Sequence, residues 1–308
     1  MITFNDFSSS FSDLRERLND QDRASYFTMR KQLTPRYLRT WTEIILQWLL
    51  LGASIAITKL VTDVTFWNVL IFAMLFSVLI HRLHLFLHEG SHYNLAPTKP
   101  LNDLLTNLLL GALVVTDVAS YREQHVLHHR NLGLPTDPER SYQSRFDLKF
   151  VVRNLLGLSV LEIAVRRNMG FSKSKKSWVI PTGITLHVAV VLLGALAGNF
   201  LLPISWIVAV ACFFPLIAAT RQLLEHRPVL GHNLETKFPL TRIFRRGFFT
   251  FVFGAAGFDR HLLHHWDPGI PCSRLSEFER ELEKAGLGQL LNARRTTYVK
   301  VAASVWQQ

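Results

Sequence analysis

Four stretches of this sequence, residues 44–58, 64–80, 178–199 and 201–220, contain no Asp, Glu, Lys or Arg. Each approaches or reaches the roughly 20 apolar residues that a helix needs to cross a bilayer core. Backbone amides must be paired inside hydrocarbon, and a helix pairs its own. The expectation is therefore an all-α integral membrane protein with four transmembrane helices arranged as two hairpins. Bulk composition agrees, since 49% of the 308 residues are hydrophobic and the mean hydropathy is +0.18.

The charges orient the crossings. Of 34 Lys and Arg, 7 fall in residues 1–40, 13 in 82–177 and 12 in 225–308; Lys59 sits in an outer turn and Arg221 near the inner end of the fourth helix. Cytoplasmic segments carry the excess of Lys and Arg, so this distribution puts both termini and the long central segment on the cytoplasmic side. The short outer turns then fall near 59–63 and 197–203. No apolar stretch with a small-residue cleavage site opens the chain, which argues against a secretory signal peptide. A net charge of +11 in a soluble protein would suggest nucleic acid. In this setting it reads as topology determinants and contacts to anionic lipid heads, with RRNMGFSKSKKS (166–177) as the clearest case and no nucleic-acid partner.

Against that map, 8 of the 13 histidines fall into three five-residue windows: HEGSH (88–92), HVLHH (125–129) and HLLHH (261–265). All three lie on the expected cytoplasmic face. On a helix, residues three or four apart share a face, so His88 with His92, His125 with His128 or His129, and His261 with His264 or His265 can each aim two imidazoles at one point. His226, in RQLLEHRP where the fourth helix leaves the membrane, belongs to the same layer. Imidazole suits iron, zinc and copper alike. Nine histidines exceed what one ion takes; two ions holding four or five nitrogens each would use them and leave a position for oxygen or water. His81 and His84 extend the stripe that ends in the first window and are expected in structural or supporting roles, His84 among the groups that orient the ligands. His187 and His232 are expected as solvated or lipid-head contacts.

The three windows resemble the histidine boxes of the integral-membrane fatty acid desaturases and hydroxylases, written HxxxH, HxxHH and HxxHH on the cytoplasmic side of four transmembrane helices. HEGSH, HVLHH and HLLHH match in order and spacing, HHWDPGIP looks like the proline-containing continuation of the third box, and His226 matches the additional histidine of that family. The resemblance covers roughly residues 40–275. It implies a non-haem diiron centre of two iron ions that uses O2 to remove hydrogen from an unactivated C–H bond, held by His88, His92, His125, His128, His129, His226, His261, His264 and His265. Carboxylates normally fix the tautomer and aim of such ligands. Glu89, Glu123, Asp137, Glu225, Asp259 and Asp267 lie within or near the boxes and are candidates for that work.

The chain reads as a 1–40 cytoplasmic segment, a 41–275 membrane domain with a helical cytoplasmic cap, and a 276–308 tail. LLTNLLLGALVV (104–115) and FFTFVFGAAGF (248–258) are too short to cross and fit interfacial or re-entrant pieces that either line an apolar entry or pack plainly. SEFERELEKAGLGQLL (276–291) reads as one amphipathic helix with a capping box at its Ser. Cys212 and Cys272 offer no disulfide framework or metal pair. There is no GxGxxG, no cysteine set for an iron–sulfur cluster and no HPGG haem motif. Electrons are thus expected from a separate protein, with ferredoxin, rubredoxin or cytochrome b5 and its reductase as the family's usual choices. Three functions remain open: desaturation of an acyl chain; hydroxylation or ketolation of a lipid, carotenoid or small metabolite on the same scaffold; and non-catalytic metal or haem binding, for which only His187 lies deep in a membrane helix.

Overall fold

The computed structural model describes residues 26–158, 177–227 and 240–306. Over these residues the protein is mostly helical. In chain order the helices are α1 (Tyr26–Gln32), α2 (Tyr37–Ile57), α3 (Phe66–Ser91), α4 (Lys99–Thr106), α5 (Val118–Asn131), α6 (Leu148–Leu155), α7 (Val179–Leu196), α8 (Leu201–Val208), α9 (Phe214–His226), α10 (Phe248–Phe253), α11 (His261–Trp266), α12 (Leu275–Leu282), α13 (Gly288–Arg294) and α14 (Tyr298–Trp306). Among the described residues, four helical runs are long and apolar enough to cross a membrane: Tyr37–Leu60, Phe66–Ser91, Val179–Leu196 and Leu201–His226. His232 and nearly all of the basic run 166–177 lie outside the described residues.

The described chain forms two compact units. The first comprises residues up to Thr40, Gln124–Arg145 and everything from Arg221 on; the second comprises Trp41–Glu123 and Phe146–Thr220.

The second unit holds the apolar helices apart from Tyr37–Thr40 and Arg221–His226. Leu46, Leu49, Phe66, Trp67, Ile71, Leu193 and Ile207 stand exposed on them, an apolar surface too large for water and suited to lipid. Its inner contacts explain the sequence locally. Thr65 caps α3 by accepting from the Asn68 amide. A π turn at Ala209–Phe213 joins α8 to α9, and the Ala209 carbonyl accepts from the Ser77 hydroxyl at 3.2 Å. Asn199 donates to the Thr58 hydroxyl at 2.8 Å, tying together the turns that follow α2 and α7. The expectation for His187 requires correction. It is no lipid-head contact: Nε2 donates to the Leu113 carbonyl at 3.0 Å and Nδ1 accepts from the Trp206 indole at 3.1 Å. One nitrogen donating and the other accepting defines a neutral imidazole that pins α7 to its neighbours.

In the second unit the 104–115 stretch is the end of α4 and a π turn at Asn107–Gly111, followed by a turn in which Val115 takes φ 51°. In the first unit the 248–258 stretch holds only the six residues of α10 before the chain turns at Ala256 and Gly257.

The first unit is organised around a core of Leu262, Leu263, Trp266, Ile270, Leu275, Phe278, Leu282 and Leu291, with Met29 and Leu33 from the N-terminal side. A two-residue parallel pair, β1 (Ile243–Phe244) with β2 (Arg295–Thr296), closes it. The segment 276–291 is not one helix. Gly286 at φ 82° breaks it into α12 and α13, and α12 starts at Leu275 without a side-chain cap. Glu279, the residue that would complete a capping box, is engaged instead by Arg260 and Arg295 at 2.7 and 2.6 Å.

Candidate metal centre

In the first unit, seven of the nine expected histidines come together through the second and third boxes and His226. The Nε2 of His129 lies 2.9 Å from that of His125 and 3.0 Å from that of His264. A second convergence sits beside it: the Nε2 of His261 is 3.0 Å from that of His226 and 3.1 Å from that of His265. His128 groups with His226 and His265. Two ligands at right angles with metal–nitrogen bonds of ~2.1 Å have their nitrogens ~3 Å apart. The observed separations are those of adjacent positions around a common ion, so the residues fit two metal ions.

The imidazoles are aimed from behind. The Nδ1 of His128 faces both oxygens of Asp137 at 3.0 Å, and the Nδ1 of His125 faces Glu139 at 3.1 Å. An ionised carboxylate only accepts, so each Nδ1 carries the proton and Nε2 is left as the metal-facing lone pair. The carboxylates are themselves held. Tyr142 donates to Asp137 at 2.6 Å, the Gly133 amide donates to the Tyr142 hydroxyl at 2.7 Å, and Gln222 donates to Glu139 at 2.9 Å. Burial, reinforced by Asp137, pushes the Tyr142 hydroxyl above its usual range and keeps it a donor. The loop can fold back because Gly133 takes φ 87°, and a Cβ there would meet Leu240 at 2.7 Å.

The third box is supported by packing. Leu262 and Leu263, the two residues between its histidines, are completely buried in the core. Val126 and Leu127, their counterparts in the second box, are 58% and 40% exposed. Just before the box, Ala256 and Gly257 take φ 51° and 78°, and Phe258 stacks on His261 at 4.8 Å. Burial first, and then the neighbouring imidazoles, hold His261 and His265 well below the usual histidine range. Both are neutral at physiological pH, the form that binds metal.

Arg242 links this box to α9. Its guanidinium caps the helix end by donating to the Leu224 and Glu225 carbonyls at 2.9 and 2.7 Å, and its own carbonyl accepts from the Leu262 amide at 3.0 Å. Burial, reinforced by Arg294, lowers it to about 9, which leaves it charged at neutral pH. His226, next to this cap, turns its Nδ1 to the Leu240 carbonyl at 3.0 Å.

In the second unit, His88 and His92 lie edge to face at the end of α3, 4.9 Å between ring centres. Glu89 is buried, 3.8 Å from the Nδ1 of His88, and accepts from Asn94 at 3.2 Å. The glycine of HEGSH is structural, because a Cβ on Gly90 would lie 2.4 Å from the Thr106 side chain. Asn102 and Arg122 both donate to the Gly90 carbonyl, at 2.8 and 3.3 Å, and Arg122 also donates to the Ser91 carbonyl and pairs with Asp103. His81 is buried, and His84 packs against Phe214 and Tyr121.

The remaining carboxylates differ from one another. Asp259 pairs with Arg260, Asp267 with Arg30, and Glu123 is exposed. Glu225 is buried beside His226 and His261 and is bound by Arg221. Glu139, Tyr142, Gln222, Arg242 and Arg122 were not anticipated. Only Glu139 carried a signal, as an acid two residues beyond Asp137.

No curated protein matches the chain. The sequence model described as fatty acid desaturase matches residues 64–296, which is more than two thirds of the chain and includes all three boxes. Its members are membrane oxidoreductases of the desaturase and hydroxylase type, and this chain, with its four apolar helices and histidine clusters, belongs to the fatty acid desaturase family.

Proposed function

We propose that the protein is an O2-dependent diiron desaturase that introduces a double bond into a fatty acyl chain, lipid- or carrier-linked. The observation that carries this reading is the double convergence of imidazole Nε2 atoms in the first unit, with Asp137 and Glu139 behind two of them. The two iron ions would be held by His125, His128, His129, His226, His261, His264 and His265. His88 and His92 are assigned to the same centre from the box signature.

Bound iron supplies the activation of O2 and the removal of hydrogen from an unactivated C–H bond. The protein's part is to hold the ions mainly through uncharged groups. Uncharged imidazoles donate without adding negative charge, and Asp137 and Glu139 keep the protons on the Nδ1 atoms of His128 and His125 so that Nε2 faces metal. Burial keeps water from the ligands. In the net reaction the acyl chain gives up two hydrogens. O2 takes these together with two electrons from a donor and two protons from solvent, and leaves as two waters. The donor is a separate protein such as ferredoxin, rubredoxin or cytochrome b5 with its reductase, steered by the basic surface. The Lys and Arg distribution supports termini and boxes on the cytoplasmic side.

The test is the fatty-acid profile of cells expressing the chain, compared with cells expressing the His264→Ala variant. Accumulation of an acyl product lacking two hydrogens supports desaturation. A hydroxylated or ketonic product would move the protein to the alternative on the same scaffold. Identical profiles together with a Soret band in the purified protein would make it a haem protein and overturn the reading.

A further inference from the structure

We infer that Glu225 is itself a metal ligand, so that the two ions of the centre differ: one bound by nitrogen alone among the described residues of the first unit, the other by nitrogen and a carboxylate. This rests on the dimetal reading above and deepens it. The carboxylates near the histidines differ in the side from which they approach. Asp137 and Glu139 approach their histidines at Nδ1, the side turned away from the Nε2 convergence. Glu225 approaches from the other side: its Oε2 is 3.7 Å from the Nε2 of His261, the same nitrogen that lies 3.0 and 3.1 Å from those of His226 and His265. A carboxylate on that side faces the ion position.

Its remaining hydrogen-bonding capacity points the same way. Glu225 is completely buried. Arg221 bonds Oε2, while Oε1 has no hydrogen-bond partner among the described residues. A fully buried carboxylate oxygen without a partner has lost its hydration with nothing in return, so native structures rarely keep one. A cation supplies the missing partner. Glu225, His226 and His261 bring their ligand atoms together as one group that could hold a single ion. Arg221, stacked over Phe258 at 4.5 Å with that ring on His261, holds the carboxylate in place. Among the described residues, the group of His125, His129 and His264 includes no carboxylate, and Glu139 meets His125 at Nδ1.

The experiment uses full-length protein in mild detergent, stripped of metal and titrated with cobalt(II) alone. Stoichiometry, the ligand-field absorption of each equivalent and affinity against a competing chelator are read together. Wild type should take two equivalents with distinguishable spectra. Glu225→Gln, which is isosteric, should leave one equivalent unchanged, weaken the other by about tenfold or more, and shift its ligand-field bands. Glu225→Asp keeps the buried charge beside Arg221 but withdraws the carboxylate by one methylene, and should weaken the same equivalent. If either folded variant binds both equivalents with wild-type spectra and affinities, Glu225 is only the counter-ion of Arg221 and the inference is overturned. If wild type binds no cobalt, it is the dimetal reading that fails.

Discussion

Both carboxylate oxygens of Asp137 lie 3.0 Å from the Nδ1 of His128, and the same carboxylate accepts from Tyr142. Such an arrangement fixes the imidazole tautomer and raises its basicity toward a metal. Asp137→Asn should therefore reduce metal affinity by about 10–100-fold at the ion proposed for His128, His226 and His265. Glu139→Gln should do the same at the ion proposed for His125, His129 and His264. Stepwise chelator competition separates the two; equal loss at both ions in both variants would contradict the pairing.

The proposed ligands themselves are tested by truncation. His128→Ala, His226→Ala and His264→Ala should each abolish turnover and lower bound iron. A fully active His264 variant would remove the third box from the centre.

The second and third boxes share a spelling but not a means of support. Leu262 is fully buried in the core and Val126 is exposed. Leu262→Ala should cost about 2–5 kcal/mol of stability. Val126→Ala should stay within about 0.5 kcal/mol. Unfolding in detergent measures both, and similar losses would contradict the assignment of Leu262 as an anchor.

Gly90→Ala forces a methyl group onto Thr106. Overpacking of this kind costs about 1–3 kcal/mol. The double variant Gly90→Ala with Thr106→Ala removes the two nearest atoms of the clash and should recover part of that loss. A Gly90→Ala protein as stable as wild type would show that the box tolerates a side chain there.

The clustering of the histidines was legible because positions that share a helix face repeat at three or four residues, and that period survives in HVLHH and HLLHH whatever surrounds them. The apolar helices were legible for a similar reason, since charge-free length is a local property. What orients the ligands was less so. Asp137 stood out as an acid near a box, yet Tyr142 and Gln222 reach the carboxylates only through a turn at Gly133 and contacts between segments distant in sequence. Arg242 gave no local sign, because its role depends on the carbonyls it meets at the end of α9. His187 looked like an isolated polar residue in a membrane helix; its partners, Leu113 and Trp206, come from elsewhere in the chain. The 276–291 segment was misread because Gly286 adopts a left-handed conformation that ends α12, while Glu279 is drawn to Arg260 and Arg295.

The most direct measurement is the iron content of full-length protein purified in mild detergent from iron-supplemented cells, with zinc counted alongside. About two irons per chain are predicted, falling in the His128, His226 and His264 variants. Wild-type protein that is folded and monodisperse but carries neither iron nor zinc in stoichiometric amount would contradict a dimetal centre at these histidines.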